Sequence, residues 1–133
     1  MSEETCLFCE IVAGREPSEK VWENDEFLAI KNKFPKAPVH VLVMPKEHVR
    51  KQDSLGTGLS RLKAGAKSAA GRGGGNLPVF WGRMMAAVFS VVHKLNLSKT
   101  GYKLVSNGAG YNHFEHEHIH VLGGSKNEPA GQT

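Results

Sequence analysis

Four of the seven histidines lie between His113 and His120, and three of them alternate in the run His116-Glu117-His118-Ile119-His120. On an extended strand, alternation brings His116, His118 and His120 to one face with neighbours roughly 6.6 Å apart, while Ile119 and Val121 turn toward packing. Imidazoles grouped on a buried face are costly unless they are hydrogen-bonded, protonated beside an anion, or bound to a metal. Three chemistries are open to them: nucleophilic attack by a neutral imidazole near pH 7, stabilisation of an anion, and coordination of an ion. Alternate residues on one flat strand rarely converge on one ion without a ligand from elsewhere, which ranks a triad-held catalytic ion last. The second group is Cys6 and Cys9, a Cys-x-x-Cys pair. That spacing serves metal binding or redox chemistry, and no βαβ pattern surrounds it to favour a thioredoxin-like role. The remaining reading makes the pair two small buried hydrophobes at one helix end.

Elements that can position these groups are visible on both sides of them. Leu7, Phe8, Ile11 and Val12 fall at helical spacing within residues 6–13, with Gly14 as a stop. The runs VWEN and EFLAI, separated by Asn24-Asp25, read as a hairpin, and His40 to Met44 reads as a strand ended by Pro45. From Val79 to Leu97, the residues Phe80, Met84, Ala87, Val88, Val91, Val92 and Leu95 form an apolar stripe, which predicts the one long helix. Tyr102 to Ser106 and Phe114 to Leu122 are expected as two further strands around the loop Asn107 to Asn112. Residues 54–78 hold seven of the 15 glycines, with small and basic residues, and read as a solvated flexible loop. The polar tail 125–133 is expected to fray.

Composition narrows the classes. At 133 residues, with 40% hydrophobic and 23% charged residues, the chain is expected to form one domain spanning 1–133. No apolar run approaches the roughly 18 residues that a membrane-spanning helix needs. The first residues are acidic where a secretory signal carries a basic flank, so a cytoplasmic location is expected, where a structural disulfide is unfavourable. Of the net charge of +4, Arg61, Lys63, Lys67 and Arg72 account for all of it within a stretch that has no acidic residue. The basic balance is therefore local, and no specific nucleic-acid binding is expected.

The run His116-Glu117-His118-Ile119-His120-Val121-Leu122 resembles the motif of the histidine triad (HIT) superfamily, His-x-His-x-His followed by two hydrophobics. Cys6 to Gly14 resembles the opening of its zinc-containing bacterial members, His40 to His48 resembles the central strand with its Pro-Lys-x-His ending, and Tyr102 to Asn107 resembles the strand before the triad. The resemblance implies an α+β fold with a five-stranded antiparallel sheet, one long and one short helix, and a homodimer. It also implies a nucleotide hydrolase or transferase that cleaves at the α-phosphate of a purine nucleoside phosphoramidate or dinucleoside polyphosphate. In the matching positions His118 is the nucleophile of a nucleotidyl-histidine intermediate, His120 binds a phosphoryl oxygen, and His40 and His116 complete the catalytic set. Cys6, Cys9, His48 and His116 match the ligands of a structural zinc. Leu7, Phe8, Ile11 and Ile30 match the base pocket, Asn32 the ribose anchor, and Asn107 a further substrate contact.

Several residues depart from the family pattern. Tyr111-Asn112-His113 stands where a Gly-Gln-Ser/Thr pattern is usual, which changes the group nearest the leaving atom and raises a non-catalytic nucleotide-binding or interaction protein as the alternative. His113, three residues before His116, is expected as an exposed loop residue. Glu115 and Glu117 replace neutral residues and predict an acidic outer strand face, exposed or paired with basic residues.

Overall fold

The computed structural model describes residues 6–50, 77–107 and 116–124. The glycine-rich stretch as far as residue 76, the segment with Tyr111, Asn112, His113 and Glu115, and the tail lie outside the described residues.

Helix α1 (Leu7–Val12) starts at Cys6, whose Sγ accepts the Cys9 backbone N–H at 3.3 Å. Strands β1 (Lys20–Glu23) and β2 (Phe27–Lys31) form the expected hairpin. Its turn is made by Asn24, whose Oδ1 accepts the backbone N–H groups of Glu26 at 2.9 Å and Phe27 at 2.7 Å. Strand β3 (Val39–Pro45) follows, and Lys46 then anchors the chain back to β1, its Nζ 2.6 Å from Glu23. Side-chain hydrogen bonds from Lys46 and then Lys20 hold the Glu23 carboxyl down to about 2.

Helix α2 (Leu77–Lys94) begins two residues inside the stretch read as loop and ends before the predicted Leu97. Asn96 explains the earlier end, because it takes a left-handed conformation at φ 62°. The chain then makes a single further turn, α3 (Leu97–Thr100), which the apolar stripe does not distinguish from a continuation of α2. Gly101, at φ 105°, leads into β4 (Tyr102–Val105), and β5 (Ile119–Gly123) completes an antiparallel sheet in the order β1-β2-β3-β5-β4. The fold is the expected α+β arrangement around a five-stranded antiparallel sheet. Strand β5 pairs five residues later than the predicted start at Phe114; within the described residues before it, only His116 bridges, to Arg50.

Strand alternation divides the sheet into two faces. Ala29, Val41, Val43, Ile119 and Val121 pack against Phe80, Met84, Ala87, Val88, Val91 and Val92 of α2, forming the larger core. Leu28, Ile30, Leu42 and Met44 face the other way and pack with Phe8 of α1. His40 alternates with Leu42 and Met44, so the second face carries the functional groups. Met84 is fully buried at the centre of the α2 face. Replacing it with Ala is expected to destabilise the protein by about 2–5 kcal/mol through lost burial and a residual cavity, read as a lower urea midpoint.

Candidate active site and metal centre

His116 and His118 lie on irregular backbone just before β5, and only His120 sits within the strand. The three imidazoles consequently do not share one flat face. His116 turns toward α1 and the segment after β3, while His118 and His120 remain neighbours, with ring centroids 5.1 Å apart. A triad converging on one ion is absent among the described residues, where the one group able to hold a metal is Cys6, Cys9, His48 and His116.

That group draws on three separate parts of the chain. The helix turn of α1 places Cys6 and Cys9 on one side, since residues three apart share a helix face. His48 comes from the turn after Pro45, and His116 from the approach to β5. Cys9 Sγ lies 3.1 Å from His48 Nδ1 and 3.6 Å from His116 Nδ1, and Cys6 Sγ lies 3.4 Å from the same His116 nitrogen. All four donor atoms fall within 4.8 Å of one another. Metal–ligand bonds of about 2.0–2.3 Å in a tetrahedron separate the ligand atoms by roughly 3.3–3.8 Å, so the set fits a tetrahedral ion with small adjustment. His116 is prepared for this role by its other nitrogen. Its Nε2–H donates to the Pro45 carbonyl at 2.7 Å, which directs the Nδ1 lone pair at the two sulfurs. Burial pushes the His116 imidazole down to about 4, keeping it neutral as a ligand must be, although the Pro45 bond acts in the opposite direction.

On the other side of Phe8 a second set of protons is ordered. The Lys36 backbone N–H donates to His40 Nδ1 at 3.0 Å. Burial, and then the Lys36 charge, push the pKa of His40 down, so its imidazole is neutral and its one proton sits on Nε2. That Nε2–H lies 2.9 Å from His120 Nδ1 and donates to it, leaving the His120 proton on its own Nε2. Asn32 Nδ2 stands 3.2 Å from His40 Nε2. The Asn32 oxygen accepts the Phe34 backbone N–H at 2.9 Å, which fixes which end of the amide is which. His118 is ordered by its own backbone: its Nδ1–H donates to the His116 carbonyl at 2.8 Å, and the lone pair is on Nε2. An imidazole with a lone pair and another with an N–H, side by side, can attack an electrophile and hold its oxygen.

Both rings border an open cleft of about 1170 Å³, somewhat larger than the roughly 300–1,000 Å³ of typical small-molecule sites. Leu7, Ile11, Ile30 and Leu42 supply apolar wall, and Asn32, His40, Asn107, His118 and His120 supply polar wall. Phe8 does not line it. Its ring points into the small core, 2% exposed, and stands edge-on to both His118 at 5.1 Å and His116 at 5.6 Å. Glu117 also departs from expectation, being fully buried where the sequence predicts an acidic outer face. Its carboxyl Oε1 accepts the His118 backbone N–H at 2.8 Å, a local pairing that strand alternation does not reveal.

Comparison with known proteins agrees with this geometry. The HIT domain family matches residues 13–127. A HIT-like protein of Chlamydia pneumoniae is 36% identical over 121 residues, which cover 89% of this chain and 92% of the relative. A HIT family hydrolase from Clostridium thermocellum has a similar structure, with a TM-score of 0.72 and 28% identity over 96% of this chain and 97% of that one. A Zn-bound histidine triad family protein from Mycobacterium smegmatis shares the fold at a TM-score of 0.64 and 22% identity, over 96% of this chain and 80% of that one. With its ordered histidines, its sheet and a match across most of its length, the chain belongs to the HIT domain family.

Proposed function

We propose that the protein is a nucleotide hydrolase or transferase that cleaves at the α-phosphate of a purine nucleoside phosphoramidate or a dinucleoside polyphosphate. The observation that carries this reading is the tautomer of His118, whose Nδ1–H is engaged by the His116 carbonyl so that Nε2 bears the lone pair. In the proposed first step Nε2 attacks phosphorus, the bond to the leaving group breaks with its electron pair passing to that group, which takes a proton from solvent, and a nucleotidyl-imidazolium forms. The positive charge that develops strengthens the bond from Nδ1–H to the carbonyl. His120, with its proton on Nε2, donates to a non-bridging phosphoryl oxygen, and His40 holds that tautomer. Water then cleaves the nitrogen–phosphorus bond, releases the nucleoside monophosphate and restores the imidazole. Being named a HIT family hydrolase, the Clostridium thermocellum protein supports hydrolysis as the reaction class.

The same reading gives the apolar wall of Leu7, Ile11 and Ile30 to the base, Asn32 to the ribose hydroxyls, and Asn107 to a further polar contact. Phe8 contributes from beneath, by holding the His118 ring. Cys6, Cys9, His48 and His116 hold a structural zinc, for which two thiolates and two imidazoles are a preferred donor set. When bound, the ion ties α1 to the turn after β3 and to the approach to β5. Dimerisation belongs to this reading too, supported by the exposed apolar side chains of Val79 and Phe89 on α2 and Tyr102 on the edge strand β4. None of the described helices is long and apolar enough to cross a membrane.

Incubating the wild type and His118→Ala with an adenosine phosphoramidate and a diadenosine polyphosphate tests the reaction. Wild type is expected to release AMP, and the variant to lose roughly a thousandfold or more of that rate while still binding AMP. No release by folded, metal-loaded wild type would instead favour the non-catalytic nucleotide-binding protein. Metal analysis tests the centre: one zinc per chain is expected in wild type, with none retained and a lower melting temperature in Cys6→Ala. Retention of one ion without Cys6 would place the metal elsewhere.

A further inference from the structure

Glu117 is the one fully buried acidic side chain among the described residues, and it adjoins His118. Burying a carboxyl group is costly, and such a residue persists where its oxygens are needed. The need can be read from the sheet. Strands β3 and β5 pair as far as Val43 opposite Ile119. Continuing that register by two residues brings Pro45 opposite Glu117, and proline has no N–H to give to a ladder. The regular pairing of β5 stops at Ile119, and residues 116–118 must satisfy their backbone groups by other means.

Among the described residues, three of these groups are met by bonds, two of them made with side chains. The Glu117 N–H donates to the Val49 carbonyl at 2.7 Å, which pins this residue to the segment after β3. The His118 N–H donates to Glu117 Oε1 at 2.8 Å, and the His116 carbonyl accepts His118 Nδ1–H at 2.8 Å. The second and third bonds enclose the same short stretch of chain. Losing the Glu117 oxygen strands the buried His118 N–H, and the backbone must turn to find another acceptor. That turn carries the His118 ring away from the His116 carbonyl.

We propose that Glu117 is a positioning residue for His118. Its carboxyl oxygen accepts the His118 N–H, which lies beyond the regular pairing of β5, and thereby sets the ring orientation and the Nδ1–H tautomer. The need is for an acceptor oxygen of the right reach, not for a negative charge. Only the kinetic consequence rests on His118 being the nucleophile.

Two readouts on wild type, Glu117→Gln and Glu117→Met, all metal-loaded, test this. Imidazole ¹⁵N–¹H correlation spectra report the His118 tautomer, and AMP release from an adenosine phosphoramidate reports kcat and KM separately. Glu117→Gln keeps the amide oxygen and is expected to retain the Nδ1–H tautomer and a kcat within about threefold of wild type, since only the charge is removed. Glu117→Met keeps the volume without the acceptor. It is expected to show a mixed tautomer and a kcat lower by roughly ten- to hundredfold at nearly unchanged KM, as misplacement of a reacting group predicts. If Glu117→Met does not fold, Glu117→Asp, one methylene too short to reach, is expected to show the same losses. Full retention of tautomer and kcat by a folded Met or Asp variant overturns the proposal. So does a Gln variant as impaired as Met, which would assign the role to the charge. Absence of AMP release from wild type would sink the proposed reaction, while the tautomer spectra still decide the role of Glu117.

Discussion

One buried imidazole, His116, has two nitrogens and one proton, and the rest of the site depends on where that proton goes. The Pro45 carbonyl takes it, at 2.7 Å. The Glu117 N–H, opposite Pro45 in the continued register, donates to the Val49 carbonyl, which leaves the Pro45 carbonyl to a side chain. Its acceptance of Nε2–H directs Nδ1 of His116 toward Cys6 and Cys9. The backbone carbonyl of the same residue accepts Nδ1–H of His118. One residue thus orients a candidate metal ligand with its ring and a candidate nucleophile with its main chain. A protonated His116 would lose the first function, and its deep burial opposes protonation.

A second line of ordered protons runs from the Lys36 backbone through His40 to His120. It starts from a main-chain N–H that cannot change its state, so each imidazole along it inherits a defined tautomer. Neutral His40 is essential to the direction, and burial together with the Lys36 charge secures it. The two lines end on adjacent rings with opposite character, an Nε2 lone pair on His118 and an Nε2–H on His120. Such complementarity suits attack at a centre whose oxygens gain charge, which is the chemistry proposed.

Much of this was legible in the sequence, and the exceptions have specific causes. The apolar runs of β2 and β3, bounded by Asn24-Asp25 and Pro45, and the stripe of α2 announce their elements, because a strand buried on both faces is apolar throughout and a helix packed on one side is apolar at its own period. The Cys6, Cys9, His48 and His116 quartet spans more than a hundred residues; only the resemblance brought its two histidines to the cysteines, which the structure then brought together. Alternation misled at His116 to His118, since it assumes a strand where Pro45 interrupts pairing. The same assumption put Glu117 on an outer face, whereas irregular backbone lets its side chain fold back to the next N–H. The resemblance puts Phe8 in the base pocket with Leu7, Ile11 and Ile30. On a six-residue helix lying against the sheet, however, only one side faces the cleft, and Leu7 and Ile11 occupy it.

The position of Phe8 bears on whether the metal centre and the cleft can be treated as separate. Its ring touches His116 on one edge and His118 on the other, at centroid distances of 5.6 and 5.1 Å. It also belongs to α1, which with its N-cap Cys6 supplies both cysteines and two apolar residues of the cleft wall. A short helix of this length has little stability of its own, so its placement comes from what it packs on and what it ligates. Loosening the quartet would free the N-terminal end of α1, and with it Phe8, Leu7 and Ile11 together. An ion that takes no part in the chemistry would still set the shape of the cleft and the orientation of His118, because α1 and its N-cap serve both.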